Sequence, residues 1–268
     1  MAVVGPNGSG KSTLARLLGG LDKASGGQRC NVCGHDLLTA EGRRDVRRDV
    51  GVLFQNPENQ IVGENVEEDV AFGLENLALP AAQIAARVDE VLALFALDEL
   101  RHREPHLLSG GQKQRVALAS VLAIPRRVLV LDEPTAMLDP AGRDEILAAV
   151  SAAHAGGLTV VYVTQEMDEV LNADRVVALE AGAVVFSGAP HELFAAADLV
   201  RRLSLGLPGP GEVALALQAR GAWPSQRLAL SLDELVAVLG GAAAGALDRG
   251  LTDDLPETGA AAGQGDLQ

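Results

Sequence analysis

Three short stretches combine residue types and spacings that could do chemistry. The first is Gly5-Pro6-Asn7-Gly8-Ser9-Gly10-Lys11-Ser12, followed by Thr13, which fits G-x-x-x-x-G-K-[ST]. In such a loop backbone N–H groups cradle phosphates, the lysine reaches the terminal ones, and the Ser12 hydroxyl can hold magnesium. The second is Asp132-Glu133, at the end of the apolar run Val128-Leu129-Val130-Leu131. One of these carboxylates can hold a divalent cation through water while the other takes a proton from an attacking water, the arrangement that phosphoryl transfer requires. The third is Leu108-Ser109-Gly110-Gly111-Gln112 at a helix start. It offers a hydroxyl and closely approached N–H groups on a positive helix end, a second phosphate-binding surface in one chain. A single site has no use for two such surfaces.

These residues need a parallel sheet and helices to position them. Leu14, Leu17, Leu18 and Leu21 recur at i, i+3, i+4, i+7, so an amphipathic helix should follow the phosphate loop; before it, Met1-Ala2-Val3-Val4 is barely the end of a strand. Val50 to Phe54, Val128 to Leu131 and Leu158 to Val163 read as strands, the second with its carboxyl end toward a ligand. Ile84, Val88, Val91, Leu92 and Phe95 mark a helix face, Ser109 caps a helix running to about Pro125, and a helix over Ile146, Leu147 and Val150 should end near Gly156-Gly157. Arg175 to Glu180 and Ala183 to Ser187 suggest a hairpin turning at Ala181-Gly182. After a Gly/Pro-rich loop at 206–211, helices are expected over Glu212 to Arg220 and Ser231 to Leu239; from Gly240 onward Gly, Ala and acidic residues predict disorder.

Composition narrows the class. A net charge of −14 argues against broad nucleic-acid binding, and the run Arg43 to Arg48, interrupted by Asp45, reads as a solvated helix face. No secretory signal is visible, and no stretch approaches the roughly 20 apolar residues that span a bilayer; Leu235 to Leu247 is shorter and broken by glycines. Cys30 and Cys33, with His35 nearby, form a lone C-x-x-C where a closed zinc site needs four ligands, so they are expected to be small residues on a strand.

In the order and identity of these motifs the chain resembles the ATP-binding cassette (ABC) ATPases. The resemblance implies an α/β P-loop NTPase cassette with a parallel core sheet, a helical signature subdomain and a small C-terminal helical extension: residues 1–205 for the cassette, about 56–125 within it for the helical subdomain, 206–239 for the extension and 240–268 for a disordered tail. It implies ATP and Mg2+ as cofactors and dimerisation head to tail, the signature Ser109 to Gln112 facing the other subunit's phosphate loop. It also assigns roles: Gly5 to Thr13 bind nucleotide; Ser12, Gln55 and Asp132 hold the metal; Gln55 links the site to a membrane partner; Glu133 is the general base; and Asp139, in Leu138-Asp139-Pro140, crosses the dimer interface.

Finer resemblance points to one branch. Phe54-Gln55-Asn56-Pro57-Glu58-Asn59-Gln60-Ile61 and Glu67-Glu68-Asp69-Val70-Ala71-Phe72-Gly73-Leu74-Glu75-Asn76 are similar to the ATPases of energy-coupling-factor (ECF) transporters, prokaryotic importers of vitamins or transition-metal ions. That likeness implies a peripheral subunit at the cytoplasmic face of the membrane, paired with itself or a paralogue. Such a pair drives an integral coupling protein that carries a separate substrate-binding membrane protein, with no nucleic acid involved. Two features depart from the family. Gln165, in Val163-Thr164-Gln165-Glu166, stands where the family has its switch histidine; an amide can contact a γ-phosphate but cannot carry a proton. Strands with an adenine-stacking aromatic should precede the phosphate loop, yet no aromatic precedes Lys11, and the expectation is that this chain starts late. Two other readings stay open: a catalytically weak partner in a heterodimer, and a soluble ABC ATPase outside transport.

Overall fold

The computed structural model describes residues 1–247, apart from 25, 28 and 226. It divides into two compact units, the first Met1–Gly206 and the second from Leu207 onward. The first holds strands β1 (Ala2–Val4), β2 (Asn31–Val32), β3 (His35–Asp36), β4 (Val50–Leu53), β5 (Val128–Asp132), β6 (Thr159–Val163), β7 (Val176–Glu180) and β8 (Ala183–Gly188). Six of them form one sheet in the order β4-β5-β6-β1-β7-β8, parallel throughout except for the β7–β8 hairpin, while β2 and β3 pair with each other. The expected parallel core sheet is therefore present. Its inner strands read as unbroken apolar runs because helices cover both faces.

Register aligns the functional ends. Leu53 lies opposite Leu131, Asp132 opposite Val163, and Val163 opposite Val3, so β4, β5, β6 and β1 finish along one edge of the sheet. The segments that begin there carry Gln55, Glu133, Gln165 and the phosphate loop. This is the edge at which open α/β sheets bind ligands.

The helices follow from local signals. α1 (Lys11–Leu18) is shorter than its leucine spacing suggests: Gly19 and Gly20, the latter at φ 65°, stop it before Leu21. α2 (Ala40–Asp49) is capped by Thr39, which accepts from Gly42 N, and turns Val46 into the core. Its arginines are not merely solvated, because Arg43 donates to Leu37 O at 2.8 Å and Arg47 to Gly20 O at 2.9 Å. α3 (Val66–Glu75), α4 (Ala81–Leu94) and α5 (Gly110–Ala123) bury Val70, Leu74, Leu92 and Leu118 in one cluster with Leu53, Leu129 and Leu131 of the sheet. Each such leucine contributes about 1.5–3 kcal/mol, so the signature helix α5 is fixed firmly to the strands that carry the acidic residues. α6 (Pro140–Ala155), α7 (Met167–Val170), α8 (Pro190–Ala195) and α9 (Ala197–Arg202) complete the unit.

The cysteines are not strand residues. They flank the two-residue β2, and Cys33 occupies the β2–β3 turn at φ 53°, which Asn31 closes by accepting from Gly34 N at 3.1 Å. Both are free thiols, His35 is engaged with Asp49 at 2.8 Å, and the described residues contain no group of three or more His, Cys, Asp or Glu placed to hold a metal.

The second unit contains α10 (Gly209–Ala219) and α11 (Leu232–Leu247), with Trp223 buried among Ala214, Ala229, Leu217 and Leu235, its indole N–H donating to Arg227 O at 3.0 Å. α11 runs through Gly240, where disorder is expected from the composition, as far as Leu247. Three glycines at about 1 kcal/mol each are tolerated there because the residues around them are mostly alanine, the best helix former. The rest of that expectation, 248–268, lies outside the described residues.

Candidate active site

The phosphate loop leaves β1 at Gly5, whose φ is +147° and where a Cβ would meet Leu179 O at 2.3 Å and Ser9 Oγ at 2.8 Å. Only glycine fits. Gly8 and Gly10 also have positive φ, at 78° and 104°, turning the backbone tightly into α1. No side chain caps α1 at Gly10, so its first-turn N–H groups remain available to an anion at the positive end of the helix. Gly5→Ala should cost about 2–4 kcal/mol through overpacking and backbone strain. A thermal melt reads this, and an unchanged Tm would show that the loop does not depend on the close approach to Leu179.

Lys11 is 6% exposed and its ammonium donates to Gly5 O at 2.8 Å and Pro6 O at 3.2 Å, leaving one proton for another acceptor. Burial lowers its pKa, partly countered by the nearby Glu133 and Asp132 carboxylates. Asp132 is 5% exposed. Burial raises its pKa, with a hydrogen bond from Ser12 opposing and the charge of Glu133 adding. Its Oδ1 is buried without a hydrogen-bond partner. An orphaned carboxylate oxygen beside a serine hydroxyl is a hard-oxygen donor pair of the kind magnesium takes, so the residues fit that ion.

Glu133 lies at φ 50°, an uncommon backbone setting for a non-glycine residue, and its N–H is held by Val163 O at 2.9 Å. Its carboxylate is gripped from two sides: Gln55 Nε2 donates to Oε2 and Gln165 Nε2 to Oε1, each at 2.6 Å. Gln165 Nε2 also reaches Asn7 Oδ1 at 3.1 Å. Side chains from two other segments at the sheet edge, after β4 and after β6, thus converge on one acid, and the second of them also ties it to the phosphate loop.

Ser109 caps α5 through a capping box, its hydroxyl accepting from Gln112 N at 3.3 Å while Gln112 Oε1 accepts from Ser109 N at 2.9 Å. Asp139 caps α6 by accepting from Gly142 N at 2.9 Å. Ser109, Gly111, Gln112, Leu138 and Asp139 line a cleft of about 340 Å³ that contains none of Lys11, Asp132, Glu133 or Gln165. Gly110 lies beside it in the first turn of α5. The structure therefore gathers the predicted residues into two groups: the phosphate loop with Gln55, Asp132, Glu133 and Gln165, and the signature with Asp139. It does not join the two. Sequence reasoning missed buried Thr135, Thr164 and Glu169, where both threonine hydroxyls donate to the one carboxylate. They carry no local motif, since Glu169 meets partners 34 and 5 residues away.

Residues 1–136 match the ABC transporter family. The chain belongs to that family. This cassette is 52% identical over 240 residues to the energy-coupling factor transporter ATP-binding protein EcfA1 of Symbiobacterium thermophilum, covering 89% of this chain and 83% of the relative. It is 43% identical to the EcfA1 of Clostridium perfringens, covering 89% and 85%. Among solved structures it resembles cbiO1 of Clostridium perfringens, described as part of the ABC transporter complex cbiONQ, at TM-score 0.66 and 38% identity over 79% of this chain and 85% of that one. A dimeric ATP-binding cassette in a post-hydrolysis state with ADP and Pi superposes at TM-score 0.65 and 29% identity, covering 70% and 84%. The cassette is thus an ABC ATPase of the energy-coupling-factor branch, a family whose members bind ATP, typically with Mg2+. None of its described helices is long and apolar enough to cross a membrane.

Proposed function

We propose that this chain hydrolyses ATP at the Lys11–Asp132–Glu133 cluster and thereby powers an ECF-type membrane importer as a peripheral subunit on the cytoplasmic face. The convergence of Gln55 and Gln165 on the Glu133 carboxylate carries the reading, because it orients one acid at the end of a buried strand beside the phosphate loop. The loop from Gly5 to Thr13 would hold the phosphates, with Lys11 donating to the terminal ones. Ser12, Asp132 and Gln55 would hold Mg2+, which neutralises charge on the transferring phosphoryl group. Glu133 would accept the proton of the attacking water. Gln165 acts as a hydrogen-bond donor that orients Glu133 and contacts the phosphate side, a role that needs no proton transfer.

The separate cleft of Ser109–Gln112 and Asp139 supports a head-to-tail pair, since a second phosphate surface becomes useful only against another cassette's loop. The partner is a paralogue or a second copy, and both would sit on an integral coupling protein that carries a substrate-binding membrane protein. A vitamin or transition-metal ion is the class of cargo that fits this branch, recognised by that other protein.

The test is Mg2+-dependent ATP hydrolysis by the full chain, co-expressed with the coupling protein and second ATPase. Failure of those proteins to co-purify would favour a soluble ABC ATPase. Within this assay Gln165→His should stay within about threefold of wild type, a barrier change under about 0.7 kcal/mol. A tenfold gain would instead mark this subunit as the poorer site, completed by a paralogue.

A further inference from the structure

Glu169 is a buried acid that the hydrolysis machinery does not use. It is 7% exposed, and its carboxylate is divided between two threonines that are each 2% exposed. Oε1 accepts from Thr135 Oγ1 at 2.6 Å and Oε2 from Thr164 Oγ1 at 2.5 Å. Thr135 lies two residues after Glu133, on the segment leading to Asp139; Thr164 immediately precedes Gln165. The carbonyl of Thr135 accepts from Leu138 N at 3.1 Å, the amide of Thr164 donates to Val3 O at 3.3 Å, and Thr164 Oγ1 accepts from Glu166 N at 3.0 Å. Arg143 of α6 brings Nε to 3.8 Å from Oε1 and donates to Glu166 Oε2 at 3.3 Å. The two segments that meet at the Glu133–Gln165 hydrogen bond are therefore tied a second time, through one carboxylate.

The chemistry of the tie favours positioning. An ionised carboxylate only accepts, so both hydroxyls must point at it, and its two oxygens hold the threonines at one fixed separation. Glu169 sits on α7, which is four residues long and too short to be stable by itself. What holds α7 in place also holds Thr164, and with it the departure of Gln165 from β6.

We propose that Glu169 is a positioning residue that sets Gln165 against Glu133 by fastening Thr164 to Thr135. The proposal rests on the reading of Glu133 as the base. Glu169 does not reach the reacting atoms; it acts through the relative placement of two segments that do. A displacement of about 1 Å at such a contact is enough to change turnover on the order of a hundredfold.

The test compares steady-state ATP turnover of the full chain in its complex. Glu169→Ala should lower kcat about 10- to 100-fold with KM for ATP nearly unchanged. Glu169→Gln, which accepts one hydroxyl and donates to the other, should recover most of that loss. In a Gln165→Ala background, Glu169→Ala should cost less than about twofold, because nothing remains for it to position. An equal loss in both backgrounds, or a loss that tracks a falling Tm, would reduce Glu169 to a structural role and overturn the proposal. If Glu169→Ala fails to fold, Thr164→Val should reproduce the selective kcat loss and Thr164→Ser should not; equal behaviour of that pair also overturns it. Glu133→Gln separates the two claims. Full activity of Glu133→Gln would remove the site reading itself, whereas an inactive Glu133→Gln beside a fully active Glu169→Ala removes only the present one.

Discussion

Glu133→Gln is expected to lower ATP turnover by about 10²- to 10⁴-fold while nucleotide binding persists. The substitution keeps size and backbone strain but removes the group that accepts the water's proton. It has a second effect that the geometry makes specific. Both carboxylate oxygens accept amide protons, from Gln55 and from Gln165. A carboxamide presents one oxygen and one NH2, so one of those glutamines would face a donor and turn away. The variant should therefore bind ATP normally, turn over poorly and show altered exchange at either the Gln55 or the Gln165 side-chain amide by NMR. Turnover within tenfold of wild type would place the base elsewhere.

Lys11→Ala acts at the other end of the site, on binding. Its ammonium is buried, tethered to two loop carbonyls and accompanied by the charges of Asp132 and Glu133. Removing it withdraws the cation that would meet the terminal phosphates and leaves two acids facing the same space. The loss should be about 2–5 kcal/mol, roughly 30- to 5,000-fold in ATP affinity. Lys11→Arg should not restore it, because a planar guanidinium cannot reproduce a compact ammonium between Gly5 O and Pro6 O. Titration with a fluorescent ATP analogue checks this, and a Kd within threefold of wild type would exclude Lys11 from phosphate contact.

What was legible in the sequence was local. Val128 to Leu131 with two acids behind it announced a buried strand aimed at a ligand, and Ser109 with Gln112 three residues on announced the capping box that forms. Long-range pairings had no local trace. Nothing near Val3 says that it lies between Val163 and Val177. The family resemblance implies metal and coupling roles for Gln55 but gives no sign of its donation to Glu133, and Glu169 leaves no trace in the sequence because its partners are two ordinary threonines. Where single residues set the backbone, local reading overreached or fell short. Gly19 and Gly20 cut α1 below its leucine pattern, the turn at Cys33 broke an expected strand, and alanines carried α11 past Gly240.

The central place of β1 has a consequence for the order of events during synthesis. Ala2–Val4 bonds on one side to residues 162–163 and on the other to residues 176–178, so neither neighbour exists when the phosphate loop leaves the ribosome. At about 5–20 residues per second the loop waits roughly 9–35 s for the second of them. Pairing β1 with β6 closes a loop of some 160 residues, whose entropy must be met before those ladder bonds are gained. The site is therefore incomplete until β6, the strand that brings Gln165, has been made, and a ribosome stalled between Glu133 and Val163 would hold a chain with both acids and the loop but without Gln165.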